Sequence, residues 1–230
     1  MHGALFTRYT ALLAASLLTI GAVPTSAFAA TEQEQLVTKA ETTFSNFERD
    51  PDMKWFRDNI GKAKAVLIAP EIVKAGFILG GSGGRGVLLA RNAKTGKWVG
   101  PAFYTLATGS VGFQAGISVS EVVMLVMTEK GLNSLLSTSF KVGGDVSVAA
   151  GPVGAGAKSN IAADLISYSR AKGIYGGLNL DGTVVSTNDE WNSAYYGKAV
   201  TPPDILIRQN VRNPQAIPLQ RQVAKAAAKK

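Results

Sequence analysis

The spacing of apolar residues changes twice along this chain. An apolar run from Ala11 to Val23 follows Arg8, and Ala27-Phe28-Ala29 supplies small residues around a cleavage point. This is the pattern of a secretory signal peptide, because a membrane span needs about 20 apolar residues. Cleavage after Ala29 is expected, with an uncleaved anchor as the alternative. From Thr31 the period becomes helical, and Leu36, Ala40, Phe44 and Phe47 fall on one face. Thr31 and Glu34 have the spacing of a capping box. Asp50-Pro51 then reads as the N-cap and first residue of a second helix, with Met53, Phe56 and Ile60 inward. Such helices either pack on a core or rest one face on a lipid surface. In the second case Phe44, Phe47, Trp55 and Phe56 would make the contact.

After Gly61 the period becomes that of strands. "KAVLIAP" and "AGFIL" are short apolar runs, and "GVLLARNAKTGKWVG" reads as a hairpin with its loop at 92–96. "SVGFQAGISVSEVVMLVMT" first alternates, with Val111, Phe113, Ala115, Ile117 and Val119 on one face, and then turns solidly apolar. The apolar part is expected to be buried on both sides. "EKGLNSLLS", "NDEWNSAYYG" and "PPDILIRQN" read as short helices, the latter two starting at Asn188 and Pro202. "DVSVAAG", "ADLISYSRA", "GIYGGLNL" and "TVVS" read as further strands, with a tight turn at Asp181-Gly182. The fold class expected is α+β: an antiparallel sheet curled towards a barrel or sandwich, with N-terminal amphipathic helices and short C-terminal helices. The organisation expected is a signal peptide at 1–29, a helical segment at 30–61, one domain at 62–207 and a basic, disordered tail at 208–230.

Charge changes this picture only once it is located. The formal net charge is +8, yet Arg208, Arg212, Arg221, Lys225, Lys229 and Lys230 follow the last acid, Asp204. Without the tail and Arg8 the remainder is nearly neutral. Basic residues do gather between Lys62 and Lys97, where Glu71 is the single acid. A tail and a patch therefore both favour anionic partners.

Candidate chemistry is sparse. Gly81, Gly83 and Gly86 in "FILGGSGGRGVLLAR" spell the G-x-G-x-x-G of a dinucleotide turn. That turn needs a helix to follow and an acid about 20 residues on. A hairpin follows here, positions 100–110 hold no acid, and Val87 replaces the Lys of a phosphate loop. What remains is either a bulged β-turn or a glycine turn offering Arg85 and backbone N–H groups to an anion. The one His is His2 and there is no Cys, so imidazole and thiol nucleophiles and His/Cys metal sites are excluded after cleavage. Asp145 and Asp164 each stand at the start of an expected strand, where they read as turn caps. No enzyme, cofactor or metal is expected.

The strand and glycine runs resemble the SYLF domain family. The resemblance rests on "GGSGGRGVLL", "WVGPAFYTL", "GSVGFQAG", "VVMLVMTEKGLNSLL", "VSVAAGPVGAGA", "ISYSRAKGIYGGLNLDGTVVS" and "AYYGKAVTPPDIL", in family order over 62–207. It implies a domain that binds anionic phospholipids, phosphoinositides among them in eukaryotic members, and in some yeast and plant members actin. Bacterial members look like exported envelope proteins. An amphipathic N-terminal segment helps eukaryotic relatives engage membranes, and residues 31–60 are the analogous region. The SH3 or FYVE domain of eukaryotic relatives and the lipobox Cys of some bacterial ones do not occur here.

The function expected is therefore non-enzymatic binding of anionic phospholipid, by an exported protein peripheral to the membrane in a bacterial periplasm. Lys62, Lys64, Arg85, Arg91 and Lys97 are the candidate headgroup contacts, with Lys172 of "YSRAKG" a further one. Each also reads as a solvated strand-edge cation that discourages edge-to-edge pairing. The alternative is an envelope scaffold whose basic tail docks on an acidic protein partner or cell-wall polymer. Nucleic acid is not an expected partner.

Overall fold

The computed structural model describes residues 29–76, 79–111, 116–154, 161–171, 174–176 and 180–229. The expected signal peptide, apart from Ala29, and Lys172 lie outside them.

Helix α1 spans Glu32–Arg49 and starts with the capping box read from the sequence. The Thr31 N–H donates to Glu34 Oε2 at 2.9 Å and the Glu34 N–H to Thr31 Oγ1 at 3.2 Å. A tight turn at Pro51–Met53, capped by Asp50, leads into α2, Lys54–Asn59. Four long strands follow: β1 (Ala65–Gly76), β2 (Leu79–Arg91), β3 (Trp98–Val111) and β4 (Gly116–Val126). Next come α3 (Glu129–Leu136), β5 (Ser139–Lys141), β6 (Val148–Ala150), β7 (Leu165–Ala171), β8 (Ile174–Gly176) and β9 (Val184–Thr187). Helix α4 (Asp189–Tyr196), a π-helical turn at Asp204–Arg208 and α5 (Ile217–Ala228) complete the chain.

The strands form one sheet in the order β5-β9-β3-β2-β1-β4-β7-β6, with β8 paired to β7, curled into a half-barrel. The expected α+β class holds. Neighbouring strands are antiparallel except β6 and β7, which run parallel. The run read as one strand through Val111 and Ile117 is shared by β3 and β4, which lie on opposite edges of the central pair β1–β2.

Because side chains alternate across a strand, the sheet builds two cores. Val66, Ile68, Val87, Leu89, Phe103 and Tyr168 face α1, α2, α4 and α5. Leu67, Leu88, Tyr104 and Met124 face α3, β5 and the π-helical turn. This double burial explains the solid apolar run at 122–126, which is buried throughout.

Three expectations change here. Phe44, Phe47 and Phe56 are fully buried, and Phe56 meets Phe44 edge-on at 5.8 Å and Tyr168 at 5.5 Å. Trp55 is half-buried and packs against Tyr168. These rings are core, so they are not a membrane face in this structure. The tail expected to be disordered forms α5, because Leu219, Val223 and Ala226 repeat at helical spacing and enter the same core. The glycine segment is no turn; it is the middle of β2. There β1 bulges between Ile68 and Glu71, and a Cβ on Gly84 would lie 2.2 Å from the Glu71 carbonyl oxygen. Glycine is required because backbone occupies that space.

Candidate functional site

The start of β1, the end of β2 and the end of β4 meet at one place, with the basic residues on the end of β2 and the segment just before β1. The Lys64 N–H donates to the Val126 carbonyl at 2.7 Å, and the Arg91 N–H to the Lys64 carbonyl at 2.7 Å. The Arg91 side chain reaches the Gly61 carbonyl with Nη1 at 2.9 Å and the Gly96 carbonyl with Nε at 3.4 Å. The loop between β2 and β3 is held by Asn92, whose Oδ1 accepts from the Lys94 and Thr95 N–H groups at 2.9 and 2.8 Å. This is an Asx-turn, a local structure Asn favours.

The result is a groove of about 580 Å³ with two characters. Lys62, Lys64, Arg91 and Lys94 line one part of it, with Glu129 as the acid among them. Lys64 pairs with Glu129 at 2.9 Å, and Lys62 donates to Asn59 Oδ1 at 3.0 Å. Both side chains of the pair are exposed, so it restrains Lys64 weakly, by about 0.2–1 kcal/mol. Leu132 and Leu136 of α3 and Leu206 and Ile207 of the π-helical turn form the apolar part. Ile207 is 52% exposed, so this wall is open to a ligand.

Two devices hold the apolar wall in place. Thr128 caps α3, accepting the Gly131 N–H at 3.0 Å. Asp204 holds the π-helical turn, accepting from the Thr201 hydroxyl at 2.6 Å, the Thr201 N–H at 3.0 Å and Arg208 at 2.7 Å. Those bonds, the Thr201 hydroxyl first, keep the Asp204 carboxyl at about 2, below the usual range.

The sequence patch is therefore only partly one site. Lys62, Lys64 and Arg91 converge and Lys94 joins them. Arg85 lies six residues back along β2, on the order of 20 Å at strand rise. There its guanidinium stacks 4.4 Å above the Trp191 ring, in a separate crevice that also holds Lys39, Glu71 and Glu32. Lys97 is exposed beside the loop but does not line the groove. The apolar half was not foreseen. Its one trace in the sequence is the three consecutive apolar residues of "DILIR", of which the structure buries Ile205 and Leu206 and leaves Ile207 exposed.

Among the described residues no three His, Cys, Asp or Glu side chains gather as metal ligands. None of the described helices is long and apolar enough to cross a membrane. The molecule is thus a curled α+β half-barrel with a cationic, partly apolar groove at one end of its sheet. The chain belongs to the SYLF family: the Ysc84 family model, described as "Las17-binding protein actin regulator", matches residues 107–226.

Relatives bear the same family name. SH3 domain-containing YSC84-like protein 1 of Homo sapiens is 31% identical over 162 residues, covering 68% of this chain and 47% of that protein. LAS seventeen-binding protein 3 of Saccharomyces cerevisiae is 32% identical over 167 residues, covering 70% of this chain and 36% of that protein. Protein YSC84 of the same yeast is 31% identical over 167 residues. The chain thus spans about half, or less, of the length of the relatives it matches.

Proposed function

We propose that this protein is a non-enzymatic, peripheral binder of anionic phospholipid, working as an exported protein in a bacterial periplasm. The observation that carries the reading is the groove. Four cations from two segments, 62–64 and 91–94, face one acid, and an open apolar wall adjoins them. A phosphate headgroup suits the cations, and the first methylenes of an acyl chain suit Leu136 and Ile207. The names of the relatives refer to an SH3 domain and to LAS seventeen, properties stated of longer proteins, and the family description refers to actin.

The test is co-sedimentation with phosphatidylglycerol vesicles against phosphatidylcholine vesicles, at low and high salt. Binding is expected only to the anionic vesicles, and it should fall as salt rises. Near an anionic surface each cation contributes about 1 kcal/mol, so neutralising two by Lys62→Gln with Lys94→Gln should weaken binding about 30-fold. Equal binding by the double variant and the natural chain would remove the groove from the reading. Export has its own measurement: N-terminal sequencing of the protein from periplasmic extract should begin at Ala30.

A further inference from the structure

A crevice of about 600 Å³ lies apart from the groove, between α1, α4 and the middle of the sheet. Its charged residues are Glu32, Lys39, Glu71 and Arg85, and its floor is the backbone of Gly83 and Gly84. Register sets Glu71 of β1 directly across from Arg85 of β2. Opposite charges so placed ordinarily attract each other. Here each is drawn elsewhere. Glu71 pairs with Lys39 of α1 at 3.3 Å, and the Arg85 guanidinium lies 4.4 Å above the centre of the Trp191 ring of α4. Among the described residues the Arg85 side chain makes no hydrogen bond or ion pair, and neither does that of Glu32 in the first turn of α1.

We propose that this crevice binds a small zwitterion, an amino acid or short peptide, with its carboxylate on Arg85 and its ammonium on Glu32. Lys39 and Glu71 neutralise each other, so one cation and one anion remain and the crevice is dipolar. Trp191 covers one face of the guanidinium and leaves the N–H fork along its edge for a bidentate partner. A flat carboxylate lies coplanar with that fork and continues the layer on the indole. A tetrahedral phosphate does not. Thr105 stands across from Arg85 on β3, and its hydroxyl oxygen accepts from Asn188 Nδ2 at 3.2 Å. Its O–H is left to donate to the same carboxylate. The glycine floor lets a ligand approach the strand backbone closely. Leu36 and Val73, the latter 40% exposed, supply apolar contact beside Trp191. An anionic lipid surface is opposed here by Glu32.

The crevice is separate from the groove, so its variants should leave vesicle sedimentation unchanged. The experiment titrates the tripeptide glycyl-glycyl-leucine into the full chain and follows the indole N–H of Trp191, one of three Trp, by proton–nitrogen NMR. Saturable binding at millimolar peptide is expected. Arg85→Lys keeps the charge but loses the fork, and amidating the peptide's C-terminus removes its carboxylate. Each should weaken binding about tenfold, and the two together no further. Glu32→Gln and acetylation of the peptide's N-terminus should each weaken it about threefold, again without adding. Both substituted side chains are exposed, so the urea midpoint should stay that of the natural chain. Leucine that binds as well as the tripeptide would make the ligand a free amino acid, and weaker binding by leucine would make it a peptide; either upholds the site. No shift at Trp191 with either probe would overturn the inference. Binding by the Arg85→Lys variant equal to that of the natural chain would overturn it too, by placing the peptide elsewhere. Tighter binding of phosphoethanolamine than of the peptide would overturn it in favour of a lipid headgroup.

Discussion

Asp164 ties three segments together through one carboxylate. It accepts from the hydroxyl of Thr128, which caps α3, and from the N–H and hydroxyl of Ser147 at 3.0 and 2.8 Å. The Thr128 hydroxyl, followed by the Ser147 N–H, holds the carboxyl at about 2. An unfolded Asp titrates near 3.9. The folded value is the lower one, so this stability is present above pH of about 4 and is lost as pH falls towards about 2. Asp164→Asn should cost about 1–3 kcal/mol at neutral pH, because it weakens three part-buried hydrogen bonds to a charged carboxylate. The gap between the variant and the natural chain in urea midpoint should narrow between pH 5 and pH 2.5. A gap constant with pH would show that the carboxylate charge is not what matters. The sequence read Asp164 as a turn cap, and the structure shows instead a tie between distant segments, since Thr128 is 36 and Ser147 17 residues away; the parallel pairing of β6 and β7 that brings Ser147 near has no local trace.

At the scale of elements, a helical period reports that one face is apolar and leaves open what covers it. For α1 and α2 the sequence allowed a core or a lipid surface, and the structure places Phe44, Phe47 and Phe56 in the core. Phe44→Ala should therefore cost about 3–5 kcal/mol in chemical denaturation, the range for a buried aromatic. A loss below about 1 kcal/mol would mean that the ring is solvent-facing in the folded protein. Helix α5 shows the opposite failure. Its Lys/Ala composition suggests disorder, while its neighbours lie far off in sequence: Gln215, just before it, donates to the Glu34 carbonyl at 3.0 Å, and Lys229 pairs with Glu48. The glycine run was misread for a related reason. Glycine marks either a turn or a close backbone approach, and the bulge in β1 that demands the second cannot be seen in the sequence of β2.

At the scale of the whole molecule, the first and last helices close the same core. Removing Ile217–Lys230 strips Leu219, Val223 and Ala226 from that core and uncovers α1. The truncated chain should lose its cooperative urea transition, measured by circular dichroism at neutral pH. An unchanged midpoint would show that α5 is dispensable to the fold. Such a truncation tests folding before it tests any docking role of the basic C-terminal residues. Charge-only changes such as Arg221→Gln with Lys225→Gln are the cleaner probe there.

The sequence by itself determined the α+β class, the caps at Thr31, Asp50 and Asn188, the β2–β3 hairpin loop and the doubly buried run at 122–126. These follow from local spacing and local hydrogen bonds, which act within a few residues. Tertiary structure decided that the helices cover the sheet, that Lys62, Lys64, Arg91 and Lys94 share a groove while Arg85 stands apart, and that an apolar wall completes it. Those outcomes depend on register and curl, which bring residues tens of positions apart within a few ångströms and leave Arg85 and Arg91, six residues apart on one strand, in separate crevices.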